Sequence, residues 1–100
     1  MPITFDPAKR DWTLAERGLD FAEAEHVFAG PLVEYFDERF DYGEERLITV
    51  GFMDERMVVV IWTPRAGKRH IISMRKANER EQAKYREQLE RPGRRSRTGR

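Results

Sequence analysis

The chain has 100 residues, 37% of them charged and 39% apolar, with two histidines and no cysteine. That length holds one domain with a modest core, burying roughly 60–70% of the unfolded surface. The composition excludes disulfide scaffolds, thiolate zinc sites and cysteine nucleophiles, and no apolar run nears the roughly 20 residues of a membrane span. A net charge of +1 hides two halves of opposite sign. Residues 1–56 carry 14 acidic and 6 basic side chains, and residues 57–100 carry 4 acidic and 13 basic. The basic half points to a polyanion bound on one face. Met1-Pro2-Ile3-Thr4-Phe5-Asp6 has neither the basic nor the apolar region of a signal peptide, so a cytoplasmic location and no membrane contact are expected.

In chain order, Ile3-Thr4-Phe5 reads as a short strand. Asp6-Pro7 is an N-cap followed by proline at the first helical position. Ala8, Trp12 and Ala15 recur at helical spacing as a stripe, and Gly18 suits the C-terminal cap. Asp20 and Glu23 stand at capping-box spacing before a second helix with Phe21, Ala24 and Phe28 as its buried side, ended by Gly30-Pro31. His26 lies on that helix, at its surface or at the core edge. Leu32–Phe36 and Leu47–Phe52 read as strands. Met57–Trp62 is apolar on both faces, so it belongs at the centre of a covered sheet. Arg69–Arg75 is the last strand, and the short connections predict antiparallel hairpins. Asn78 and Glu81 again have capping-box spacing, opening a helix from about Glu79 to Glu90 with Ala83, Tyr85 and Leu89 inward. The expected fold is α+β in the order βααββββα: a small antiparallel sheet with two helices before it and one after.

Residues 1–90 are read as a single domain. Residues 91–100 hold five arginines (Arg91, Arg94, Arg95, Arg97 and Arg100) and no apolar side chain. Such a tail has nothing to bury, so a mobile basic arm is expected, serving either solubility or nucleic-acid binding.

Few chemistries remain. The two histidines sit on different elements without ligand spacing, so no metal site is expected. Phosphate-binding glycine loops are missing, and the surroundings of Ser73 do not form a nucleophile elbow, so no cofactor is expected. Strict alternation along the last strand puts Arg69, Ile71, Ser73 and Arg75 on one face and His70, Ile72 and Met74 on the other. Two arginines and a hydroxyl, followed by Lys76 and Arg80, can clamp a phosphodiester, because a guanidinium donates two parallel hydrogen bonds to phosphate oxygens. Ion pairing with the acidic half is the alternative. His70 is either a structural histidine or a base. Tyr85 either anchors its helix or meets a nucleotide. Glu45-Arg46 offers a base and a phosphate ligand, or a plain ion pair.

Three segments resemble the BrnT toxin family: Phe5-Asp6 with Lys9 and Gly18–Ala24; Gly43-Glu44-Glu45-Arg46 with Gly51; and Arg69–Glu81 with Tyr85. The last is the most specific, and the resemblance spans about residues 3 to 86. It implies a RelE-like fold and the toxin of a type II toxin–antitoxin pair. Such a toxin cleaves RNA without a metal, through attack of the ribose 2′-OH, and so inhibits translation. The resemblance also implies a BrnA-like antitoxin as inhibitor, a heterotetramer of the two chains, and operator DNA reached only through the antitoxin. On this reading Arg46, Arg69, Arg75 and Arg80 supply cations, Glu45 or His70 the base, and Ser73 and Tyr85 position or protonate. The family often has Lys-His before the glycine that ends the first helix; here Glu16-Arg17 precede Gly18. That departure keeps open an alternative, a non-catalytic RNA- or antitoxin-binding module acting in co-repression. A general RNA-binding domain working through the tail is a third reading.

Overall fold

A computed structural model describes residues 1–39 and 41–90; the predicted basic arm lies outside them. The elements are β1 (Ile3–Phe5), α1 (Pro7–Arg17), a 3-10 turn (Phe21–Glu23), α2 (Glu25–Ala29), β2 (Leu32–Phe36), β3 (Leu47–Met53), β4 (Arg56–Arg65), β5 (Lys68–Lys76) and α3 (Glu79–Glu90). The expected element order is observed. Asp6 caps α1 by accepting from Ala8 N at 2.9 Å, and Gly18 ends it at φ 71°, donating to Leu14 O. At α3 the capping box is complete: Asn78 Oδ1 accepts from Glu81 N at 2.8 Å, and Glu81 Oε1 accepts from Asn78 N at 2.9 Å.

Two helical expectations need correction. The helix expected from Asp20 divides into the 3-10 turn and the short α2. Its buried residues are Phe21, Ala24 and Val27, a three-residue spacing that suits the tighter 3-10 winding. Helix α1 buries only Thr13, while Ala8, Trp12 and Ala15 are exposed. The reason is position: α1 lies beside the outer edge of β5, where Arg17 Nη1 donates to Met74 O at 3.0 Å, and not over a sheet face. In α3, Tyr85 and Leu89 are buried as expected and Ala83 is exposed.

The sheet is mixed, not purely antiparallel, in the order β1-β5-β4-β3-β2. Strands β2 to β5 form an antiparallel meander. Its two tight turns place Asp54 and Glu55, then Ala66 and Gly67, at positive φ, the primed geometry that matches strand twist. Strand β1 comes from far away in sequence and pairs parallel with β5 through Ile3↔Arg69, Thr4↔His70 and Phe5↔Ile71.

The sheet carries a core on each face. Val58, Val60, Trp62, Ile71 and Met74 meet Leu19, Phe21, Ala24 and Val27 on the α2 side. Ile48, Val50, Met57 and Val59 meet Ala77, Tyr85 and Leu89 on the α3 side. Strand β4 supplies both, as its apolar run predicts. Backbones approach closely at Gly51, where a Cβ would lie 2.9 Å from Val27 Cγ1 and 3.1 Å from Pro31 O.

Candidate functional site

The decisive local feature is a bulge in β5. Ile61 pairs with Ser73, but Trp62 pairs with Ile71, so Ile72 is an extra residue. The bulge reverses the alternation on its N-terminal side. Ile71 and Met74, three residues apart, therefore both enter the α2-side core. Arg69 goes with them: its guanidinium lies 4.0 Å from the Phe28 ring centroid and 5.1 Å from that of Trp62. His70 turns to the α3 side with Ser73 and Arg75. The expected partition of this strand is thus corrected. The face holding Ser73 and Arg75 gains His70 and loses Arg69 and Ile71.

Helix α3 covers only part of its face, and the pairing register divides that face into rows. Arg75, Val59, Val50 and Val33 form the row beneath α3. Next comes Ser73, Ile61, Ile48 and Tyr35. Beyond it are Thr4, His70 and Thr63, and the same register carried one step further adds Arg46 and Asp37, whose N donates to Arg46 O at 2.8 Å. Rows stand about 7 Å apart, two residues along a strand. Tyr35, Ile48 and Ile61 of the middle row line an open groove of about 230 Å³, together with Phe36, Asp37, Glu38, Arg39, Val59, Arg75 and Glu81.

The groove is strongly charged but internally paired. Arg75 donates to both Glu81 oxygens at 2.8 Å. That fork, opposed by partial burial, holds the Glu81 carboxyl down at about 2 and raises Arg75. Arg39 donates twice to Asp37 at 2.7 Å, and Tyr42 Oη donates to the same carboxylate at 3.1 Å. The guanidinium of Arg39 is again the main cause that brings Asp37 down to about 2. Tyr85 Oη donates to Tyr35 Oη at 3.3 Å. Burial first, then that hydrogen bond, pushes the Tyr35 phenol up to about 12. Arg46 stacks on Tyr42 with its Cζ 3.8 Å from the ring centroid, and its buried Nε has no hydrogen-bond partner. Glu44 stands 3.5 Å from that nitrogen.

His70 Nδ1 is 2.9 Å from Thr4 Oγ1. Burial and then the nearby Arg65 lower its pKa against the opposing pull of Glu44. The shift favours the neutral imidazole, the form that can accept a proton.

Of the eight residues singled out in the sequence, Arg46, His70, Ser73 and Arg75 fall on the α3-side face by strand register, and of these Arg75 alone lines the groove. Tyr85 reaches it from α3 through Tyr35. Arg69 is on the opposite face. Arg80 is exposed on the first turn of α3. Glu45 is exposed too, and it is its backbone carbonyl that enters the structure, accepting from Thr63 Oγ1 at 2.6 Å. Sequence reading missed Tyr35, Asp37 and Arg39. Alternation from Val33 already puts Tyr35 and Asp37 on the α3 side, and that was the available signal.

The model of one protein family, described as the ribonuclease toxin BrnT of type II toxin–antitoxin systems, matches residues 5–81. The chain belongs to the BrnT family. The match contains the bulged strand, the three rows apart from Thr4, and the Arg75–Glu81 pair, and it stops before Tyr85. A BrnT ribonuclease toxin of a type II system implies an antitoxin partner. No curated protein matches the chain. Among the described residues no helix is long and apolar enough to cross a membrane.

Proposed function

We propose that this BrnT protein is a RelE-like endoribonuclease that needs no metal, stops translation by cutting RNA, and is neutralised by a BrnA-like antitoxin. The observation that carries the reading is the strand register, which puts a histidine and two guanidinium groups on the same face of the sheet. A phosphodiester seated over Ile61 and Ser73 has Arg75 on the α3 side of it and His70 and Arg46 on the other. His70 takes the proton from the ribose 2′-OH. The 2′-oxygen attacks phosphorus, and the bond to the 5′-oxygen breaks, leaving a 2′,3′-cyclic phosphate and a 5′-OH. Arg75 and Arg46 balance the charge that develops on the phosphorane, and preorganised stabilisation of this kind does most to speed such a reaction. Ser73 positions the phosphate, and the Tyr35 hydroxyl, which accepts a hydrogen bond from Tyr85 Oη, gives the leaving 5′-oxygen its proton.

One observation favours the alternative of a non-catalytic binding module: Arg75 and Arg39 are each held by a carboxylate, so phosphate must compete for them. The two readings separate in one experiment. Induced expression without antitoxin is followed for wild type, Arg46→Ala, Arg75→Ala and Arg75→Lys, with soluble protein confirmed for each. The purified proteins are then incubated with labelled RNA in the presence of EDTA. Wild type arrests growth and yields cyclic-phosphate ends. Arg75→Lys keeps the charge but loses the fork, so its rate falls by roughly a hundredfold, the scale of one oxyanion donor. Soluble wild type that neither arrests growth nor cuts RNA leaves the binding-module reading.

A further inference from the structure

Helix α1 is turned away from the core in a way that its sequence does not anticipate. Its apolar side chains face solvent: Trp12 is 55% exposed and Leu14 41%, while the polar Thr13 is buried. Between α1 and the outer edge of β5 runs a groove of about 400 Å³, lined by Ala8, Lys9, Trp12, Thr13, Arg17, Ile72 and Ser73. Strand β1 ends its pairing at Phe5↔Ile71, so nothing in the sheet covers β5 beyond that point on this side. An exposed tryptophan at the rim of an apolar concavity is the composition of an interface anchor, not of ordinary monomer surface.

We infer that this groove docks the antitoxin, through an apolar side chain flanked by a carboxylate. The inference rests on the toxin reading above, since it names the surface used by the partner of that toxin. Charge complementarity selects the flanking group. The two ionisable groups lining the groove are Lys9 and Arg17. Neither has a carboxylate ion pair among the described residues, and Arg17 lies 5.1 Å over the Trp12 ring. The chain's own arginine-rich end is repelled by the same two cations, which argues against self-occupancy. RNA fits less well, because the lining is mostly apolar and a phosphate backbone calls for a stripe of cations. Continuity with the candidate site gives the docking a consequence. Ser73 lines this groove and also stands in the middle row of the catalytic face, so a segment anchored at Trp12 reaches the position of the scissile phosphate. Neutralisation then follows from occlusion.

The test uses the full chain and, as probe, the purified product of the reading frame adjoining its gene. The chain has two tryptophans, and Trp62 is buried and bonded to Thr49 Oγ1 at 2.8 Å, so a binding-induced change in emission reports Trp12. Titration shifts the wild-type emission to the blue. Trp12→Ala and Lys9→Glu lose affinity by roughly tenfold or more, keep the wild-type melting temperature, and still arrest growth when the antitoxin is co-expressed. Arg56→Ala, exposed at the start of β4 and in neither groove, binds normally. Unchanged affinity in Trp12→Ala and Lys9→Glu overturns the inference, as does a wild type that does not bind the probe. It is equally overturned if RNA alone shifts Trp12, or if Arg56→Ala is the variant that loses binding. Binding through Trp12 by a protein that cuts no RNA sinks the catalytic reading and leaves the docking surface standing.

Discussion

At the scale of single residues, Glu81 is the most informative side chain. Its carboxylate does two jobs, closing the α3 capping box and holding Arg75 by both oxygens. The guanidinium keeps its folded pKa at about 2, against 4.5 for the free group. A depressed carboxylate pKa stabilises the fold above the unfolded value, and that stability is lost as pH falls from about 4.5 to about 2. Arg75 is 40% exposed, so solvent screening reduces the contribution to about 1–2 kcal/mol. Glu81→Gln keeps an oxygen for the cap and removes only the charge. The expected outcome is a variant less stable than wild type at pH 7, with the two melting curves converging near pH 2. Parallel curves across that range would show that the pair contributes nothing. Asp37, also at about 2 and paired with Arg39, loses its own contribution in both proteins and leaves the comparison intact.

At the scale of elements, the sequence was legible where local chemistry decides. The N-caps Asp6 and Asn78, the stop at Gly18 and the doubly apolar β4 each follow from residue type and spacing. It was not legible where tertiary contact decides. Nothing near Ile72 announces a bulge, because the residue is an ordinary strand former; the extra residue exists so that Ile71 and Met74 can both reach the α2-side core. That single displacement moved His70 into the candidate site and Arg69 out of it. The exposure of Trp12 was hidden for a similar reason, since a helical stripe does not say whether a surface exists to receive it. The parallel seat of β1 depends on a partner more than 60 positions away. The packing of β3 against α2 is testable directly. Gly51→Ala places a methyl 2.9 Å from Cγ1 of Val27, itself fully buried and branched at Cβ, and 3.1 Å from a backbone carbonyl. Neither neighbour can yield cheaply, so the variant should lose about 1–3 kcal/mol, the range for overpacking, read as a lower midpoint in urea. A midpoint equal to that of wild type would mean that α2 is free to move off the sheet.

At the scale of the whole molecule, the site and the net field are separable. The chain carries +1, and residues 91–100 contribute five arginines and no acid. Residues 1–90 therefore carry −4. On the proposed reading an acidic body does not draw RNA from a distance, so long-range attraction is assigned to residues 91–100 and the chemistry to the cations at short range over the groove. Truncation after Glu90 separates the two. The shortened protein should bind single-stranded RNA with a salt slope that is shallower by up to about 3–4, one step of about 0.7 for each arginine removed. At low salt and saturating RNA it should still cut at close to the wild-type rate, because Arg46, His70, Ser73 and Arg75 all remain. Loss of cleavage under saturation would place a reacting group beyond Glu90 and make the rows on the sheet an incomplete site. An unchanged salt slope would assign attraction to the body after all, and the basic half of the sequence would then act through Arg75 and its neighbours alone.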